Sequence, residues 1–299
     1  MRQSLQSRHV PNSGKEGMLS AWSCLPGLCC QAAGGQPDWA DAVTSAWFLL
    51  YAAADLMDSV EDQDLEDAPQ ETSSSRALSA ASGLYFSASL ALTDLFLQQQ
   101  TCSCAATVMR DFYTAFIQMC SGQHGDLTHP EPSLEEYWRI TAAKSGIFFS
   151  LGCRAGASLA TQDPVCLQGY SQFGYHFGLL VQVLDDLDDL QCPPDGIDTG
   201  WSRKASRSLP VAYARSVFPR DHLACLEWAL QASCYESSAI EEILGLLDQG
   251  GAVLYLMAEI ERHKALALSA LESANPRSPA REELLRLTLA RISSEVQKN

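Results

Sequence analysis

The chain is poor in positive charge. Its 299 residues hold 20 lysines and arginines against 36 aspartates and glutamates, a formal net charge of −16. Nucleic-acid affinity depends on basic side chains neutralising phosphates, so a nucleic-acid partner is excluded as a primary function. Adhesion to anionic lipid needs basic clusters too, and no uncharged apolar run reaches the length of a membrane span, so stable membrane insertion is excluded as well. The opening MRQSLQSRHVPNSGKEG lacks the apolar centre of a signal peptide. Period-two alternation and β-branched runs are scarce, which argues against a sheet. No repeat at solenoid period is present. The eleven cysteines mostly sit in apolar stretches, as buried small hydrophobes do. Cys102 and Cys104 have no second Cys/His pair at zinc spacing. A reduced, cytoplasmic setting is the expectation.

What is present is apolar and helical. Hydrophobic residues make up 46% and charged residues 19%, enough for a sizeable core and too apolar for disorder. Residues 1–16 are polar and read as a loose arm, and residues 17–299 as one all-α domain, a helical bundle around a central apolar cavity. Helices are expected over 19–33, 39 to about 64, 73–99, 105–120, 133 to about 160 and 164–190, followed by shorter ones from 209 onward. SGQHGDLTHPEP reads as a loop, Ser133-Leu-Glu-Glu136 as a capping box, and Cys192-Pro-Pro-Asp-Gly196 as a breaker.

Two acidic clusters interrupt this apolar pattern. Asp55, Asp58 and Asp62 stack on one helical face, with Glu61 beside them. Asp185 and Asp189 share a face near the end of the helix over 164–190, with Asp186 adjacent. Like charges at this spacing repel, and burying them unpaired costs far more, so such clusters want a cation. Hard carboxylate oxygens with room for phosphate oxygens suit Mg²⁺. A single cluster reads more simply as a solvated helix end; two, each ending an apolar helix, favour the metal.

The order of these motifs resembles the trans-isoprenyl diphosphate synthase, or polyprenyl synthetase, family. Gln182-Val-Leu-Asp185-Asp186-Leu-Asp188-Asp189 is similar to the family's second aspartate-rich motif. Gly122-Gln123-His-Gly-Asp126-Leu127 resembles its Gly-Gln-x-x-Asp-Leu, Tyr137…Lys144-Ser145-Gly146 its Tyr…Lys-Thr-Gly, and Ser208-Leu209-Pro210 its Thr-Leu-Pro. The resemblance runs over roughly residues 17–295. It implies an all-α isoprenoid-synthase bundle, an allylic isoprenyl diphosphate substrate, Mg²⁺ and a homodimer.

Departures from that pattern shape the functional expectation. The family's chain-elongating members hold isopentenyl diphosphate on a Gly-Lys-Arg-x-Arg-Pro segment and on an arginine pair after the first motif. Here the corresponding stretches read Gly17-Met-Leu-Ser-Ala-Trp22 and Leu65-Glu-Asp-Ala-Pro69. Charge-assisted bonds to arginine supply much of a diphosphate's affinity, so this second site is read as lost. The allylic site is better preserved, although its second aspartate is Ser59.

The first expectation is therefore a class I terpene cyclase that ionises a C15 or C20 allylic diphosphate and closes it on itself. Prenyl transfer follows, either to another acceptor such as an indole or as chain elongation with isopentenyl diphosphate. A non-catalytic subunit comes last.

By the resemblance, Asp58 and Asp62 on one side and Asp185, Asp186 and Asp189 on the other hold Mg²⁺. Lys144, Lys204 and Arg207 stabilise the leaving diphosphate, and Gln182 bonds a phosphate oxygen or polarises the cation. The family's lysine ahead of Leu-Pro falls at Ser206. Asp55, Glu61, Asp64 and Asp188 are read as supporting or solvated. Phe148, Phe149, Phe173, Tyr175 and Phe177 are candidates to face the carbocation, with core packing as the simpler reading. Ala52-Ala-Ala54 ahead of the first motif points to a deep tail pocket, with Tyr51, Tyr85 or Phe86 able to close it from the side.

Overall fold

The computed structural model describes residues 22–61, 74–194 and 196–296, with side chains described to residue 289. The arm expected at 1–16, the expected metal ligand Asp62, Asp64 and the stretches 17–21 and 65–69 lie outside the described residues. Among the described residues there is no strand. In chain order the helices are α1 (Leu25–Ala32), α2 (Asp41–Glu61), α3 (Ser74–Thr93), α4 (Ala105–Thr128), α5 (Leu134–Thr141), α6 (Ile147–Ser158), α7 (Pro164–Gln191), α8 (Thr199–Arg207), α9 (Leu209–Val217), α10 (Arg220–Ala232), α11 (Ser238–Gln249), α12 (Ala252–Ser273) and α13 (Ala280–Val296). A π-helical turn, Ala142–Gly146, joins α5 to α6.

Local chemistry accounts for several boundaries. Ser133 caps α5, with its hydroxyl accepting from the Glu136 amide while the Glu136 carboxylate accepts from the Ser133 amide, so the predicted capping box forms. Asp163 caps α7 by accepting from the Val165 amide, and Pro164 occupies the first turn, where its missing N–H costs nothing.

The long helix α7 runs through the bundle, flanked by α6 on one side and α12 on another. α2 and α3 lie along each other. Where α2, α6 and α7 meet, aromatic rings fill the core. Trp47 stacks on Phe148 with centroids 4.4 Å apart, Phe148 meets Phe149 edge-on, and Phe149 meets Phe177 at 5.3 Å. Such pairs add about 0.5–1.5 kcal/mol each beyond their buried area. Phe148, Phe149, Phe173 and Phe177 are all core residues, so packing is their observed role.

One expected loop is helix. α4 continues to Thr128, through both glycines of Gly122-Gln-His-Gly125. Close approach explains the first glycine: a Cβ on Gly122 would sit 2.7 Å from the Ala143 Cβ of the π turn. On the opposite side, a Cβ on Gly178 of α7 would collide with the Ser145 carbonyl. The π turn is thus pressed between two helices, each bare of side chain at its crossing point.

Candidate active site

The site is assembled around that turn. π-Helical turns expose backbone and side chains irregularly and recur at functional sites. Lys144, in the turn, places its Nζ 3.3 Å from Asp58 Oδ1 on α2 and 2.7 Å from Asp126 Oδ2 on α4. The next residue, Ser145, donates to Gln182 Oε1 on α7 at 3.1 Å. Two consecutive residues therefore reach α2 and α7, the helices that carry the two acidic motifs.

The last turns of α4 supply further contacts. Gln123 Nε2 donates to Asp58 Oδ1 at 2.9 Å and to Glu61 Oε2 at 2.6 Å. Three residues on, Asp126 also approaches Arg207, with Oδ1 4.0 Å from Nη1. Burial alone would push the Lys144 ammonium down, but the Asp58 and Asp126 carboxylates overcome it and hold its pKa above the ordinary lysine value. The amine is therefore charged over the whole physiological range.

Asp186 has a different place from the one expected. It is buried, and its Oδ2 accepts from the Tyr137 hydroxyl at 2.7 Å and from the Leu209 amide at 2.8 Å. Gln182 Nε2 lies 3.4 Å from its Oδ1. Burial pushes its carboxyl up to about 7, against the lowering effect of these three donors. A carboxylate engaged this fully ties α5 and the start of α9 to α7, although it also lines the crevice that Asp189 and Lys204 border. The adjacent Asp185 is half-buried and Asp189 exposed. Ser59 is turned back on its helix, donating to the Asp55 carbonyl at 2.9 Å, so it contributes nothing to the acidic face.

Hard oxygen donors on α2 and α7 suit Mg²⁺ by chemistry. Lys144 and Gln123 both claim Asp58 Oδ1, which leaves Oδ2 for a cation. Among the described residues no three carboxylate, thiol or imidazole groups converge on one point.

The other expected cations divide. Arg207 joins Asp126, as above. Lys204 is exposed and lines a narrow crevice with Asp189, Trp201 and Ser208. Ser206 serves as a tether: its hydroxyl donates to the Pro130 carbonyl, and its own carbonyl accepts from Arg215 at 2.6 Å. An apolar cavity of about 330 Å³ opens between α2, α3 and α4, lined by Leu50, Tyr85, Phe86, Leu92, Phe112 and Phe116. Tyr85 and Phe86 wall it, but none of Ala52–Ala54 lines it, and Tyr51 lies against Phe148.

Residues 36–221 match the polyprenyl synthetase family. The chain belongs to that family. It is 28% identical over 165 residues to the geranylgeranyl diphosphate synthase of Mycobacterium tuberculosis, covering 52% of this chain and 46% of that one. It is 25% identical over 210 residues to the tryptophan prenyltransferase ComQ of Bacillus subtilis subsp. natto, covering 70% of this chain and 62% of that one. The chain spans about half the length of the curated relatives it matches. The geranylgeranyl pyrophosphate synthetase of Pyrococcus horikoshii superposes with a TM-score of 0.79 over 93% of this chain and 90% of that one, at 21% identity. The all-α isoprenoid-synthase fold is thereby shown. Among the described residues no single helix is long and apolar enough to cross a membrane.

Sequence reasoning quoted Gln123 and Asp126 within a family motif and gave neither a role. The signal was present in their spacing. Residues three apart share a helical face, but only if that stretch is helix, and the two glycines argued for a loop.

Proposed function

We propose that the chain is a Mg²⁺-dependent prenyltransferase that ionises an allylic isoprenyl diphosphate and passes the prenyl group to a second substrate. The adjacency of Lys144 and Ser145, one reaching Asp58 and the other Gln182, carries this reading. Asp58 from α2, with Asp185 and Asp189 from α7, would hold the metal. When bound, Mg²⁺ supplies Lewis-acid pull on the diphosphate leaving group. Lys144 and Arg207 add fixed positive charge where negative charge develops as the carbon–oxygen bond breaks. Single-substrate cyclisation, ranked first from the sequence, has no counterpart among the named relatives, whereas transfer does.

The acceptor is an uncharged π nucleophile such as an indole. Residues 17–22 and 65–69 lack the basic side chains that hold isopentenyl diphosphate in the elongating members of the family. One relative carries the name of a tryptophan prenyltransferase. The cavity of about 330 Å³ suits a C15 or C20 tail, at the lower end of the roughly 300–1,000 Å³ common for small-molecule sites. Geranyl, farnesyl and geranylgeranyl diphosphates, each with isopentenyl diphosphate, a tryptophan peptide or no acceptor, discriminate the readings by mass spectrometry. A prenylated indole supports this acceptor. A longer linear diphosphate shifts the acceptor to isopentenyl diphosphate, and a cyclic hydrocarbon without acceptor restores cyclisation.

The protein is further proposed to be a homodimer through α3 and α4. Phe86 and Leu90 on α3 and Ile117 on α4 are at least 69% exposed, an apolar stripe beside the cavity mouth. Light scattering of the purified chain is expected to give twice the 32.5 kDa monomer mass, and Phe86→Asp to return it to one.

A further inference from the structure

The end of α4 faces the site with two residues of opposite character. Gln123 offers a donor and takes two carboxylates of α2, Asp58 and Glu61. Asp126 offers an acceptor and draws two cations from separate parts of the chain. Lys144 comes from the π turn at 2.7 Å, and Arg207 from the end of α8 at 4.0 Å. The side chain of Asp126 is 18% exposed, and those of Lys144 and Arg207 are 28% and 20% exposed. The three groups thus form a half-buried unit in which each oxygen of one carboxylate serves one cation.

We infer that Asp126 is a positioning residue that gathers Lys144 and Arg207 into a paired clamp for one diphosphate. Without it, two like charges this close repel, and long flexible side chains scatter. With it, both cations converge on one carboxylate, and Lys144 reaches from there to Asp58, where the metal-bound diphosphate would lie. Lys144 shares its ammonium protons between Asp126 and Asp58, so it keeps an anchor when it turns from Asp58 to a phosphate oxygen. This inference rests on the reading of the site as a diphosphate site.

The sign of the effect separates positioning from plain electrostatics. Removing a negative charge beside an anion site ought by itself to tighten anion binding. Loss of a positioning group weakens it. The test is calorimetric titration of the full chain with inorganic pyrophosphate in saturating Mg²⁺, with thermal melts to confirm that each variant is folded. Asp126→Asn is expected to bind pyrophosphate about tenfold more weakly than the wild type, with Asp126→Glu recovering part of the loss. Arg207→Gln is expected to weaken binding in the wild-type background and to have a much smaller effect beside Asp126→Asn, because the two changes break one unit.

Equal or tighter binding by folded Asp126→Asn, or strictly additive losses in the pair, would overturn the clamp. If Asp126→Asn does not fold, Arg207→Gln and Asp126→Glu decide: wild-type affinity in both contradicts the inference, and weaker binding in Arg207→Gln supports it. Absence of Mg²⁺-dependent pyrophosphate binding in the wild type would instead overturn the diphosphate reading beneath it.

Discussion

Lys144 and Asp126 meet at 2.7 Å across the crossing of the π turn and α4. The same ammonium lies 3.3 Å from Asp58, so one cation joins the acidic face of α2 to the end of α4. Held between two carboxylates and already beside the first acidic motif, it would need little rearrangement to meet the leaving group of the proposed reaction. Pre-arranged charge of this kind is worth more than the same charge brought in from solvent.

Lys144→Ala is expected to lower kcat about 100-fold or more while leaving the helical circular dichroism intact. Lys144→Arg, which keeps the charge with different geometry, should fall between. Steady-state release of diphosphate from farnesyl diphosphate measures both. Wild-type kcat in Lys144→Ala would remove this residue from the mechanism.

Tyr137→Phe tests the structural assignment of Asp186. The variant removes one of the donors to a buried carboxylate and is expected to cost about 1–3 kcal/mol of stability in urea unfolding. Its KM for the allylic diphosphate should stay within about twofold of the wild type, since the lost bond joins helices and touches no substrate.

How much of this was legible in the chain varied with the physics involved. The helices from 39 and 164 are legible as long apolar segments, and the start of the helix at 134 from its capping box, because those signals are local. The acidic clusters stood out because carboxylates are rare on apolar faces. The π turn was not legible: nothing in Ala142-Ala-Lys-Ser-Gly146 differs locally from helix, and its geometry is set by neighbours on both sides. The orientation of Asp186 was equally hidden. Asp185 and Asp186 are neighbours in sequence, yet a helical step of 100° sends one outward and the other into the core. Gln123 and Asp126 fall in a stretch whose glycines and two prolines signal a loop, whereas Gly122 is there for close packing.

Gly122→Val tests that packing. Its side chain meets Ala143 and the Lys144 amide, and the expected cost is about 1–3 kcal/mol with a loss of activity larger than the stability loss explains, because Lys144 is displaced. Thermal melts and kcat on the same preparation make the comparison.

The bundle also holds an acid-sensitive joint. His263 of α12 is buried, with its Nδ1 3.2 Å from Nδ1 of His176 on α7. Glu259 and Arg262 of α12 and Trp138 of α5 also face it. Burial, then the neighbouring His176 and Arg262, pull its pKa down to about 4 from 6.5. A lowered histidine value means that the unfolded chain binds the extra proton first. Its contribution to stability is therefore complete above about pH 6.5 and lost as the pH falls toward 4. Urea midpoints between pH 4 and 7 should drop less steeply in His263→Gln than in the wild type; parallel slopes would assign the acid sensitivity elsewhere.

In the proposed reaction, the paired acidic motifs and Lys144 ionise an allylic diphosphate with Mg²⁺ bound. The decisive measurement is the rate of pyrophosphate release from farnesyl and geranylgeranyl diphosphates, with an indole acceptor, as Mg²⁺ is titrated into EDTA-treated protein. Release that rises from zero with Mg²⁺ and disappears in both Asp58→Asn and Asp185→Asn is the predicted result. Release that is independent of Mg²⁺, or that survives loss of either carboxylate, would contradict the account.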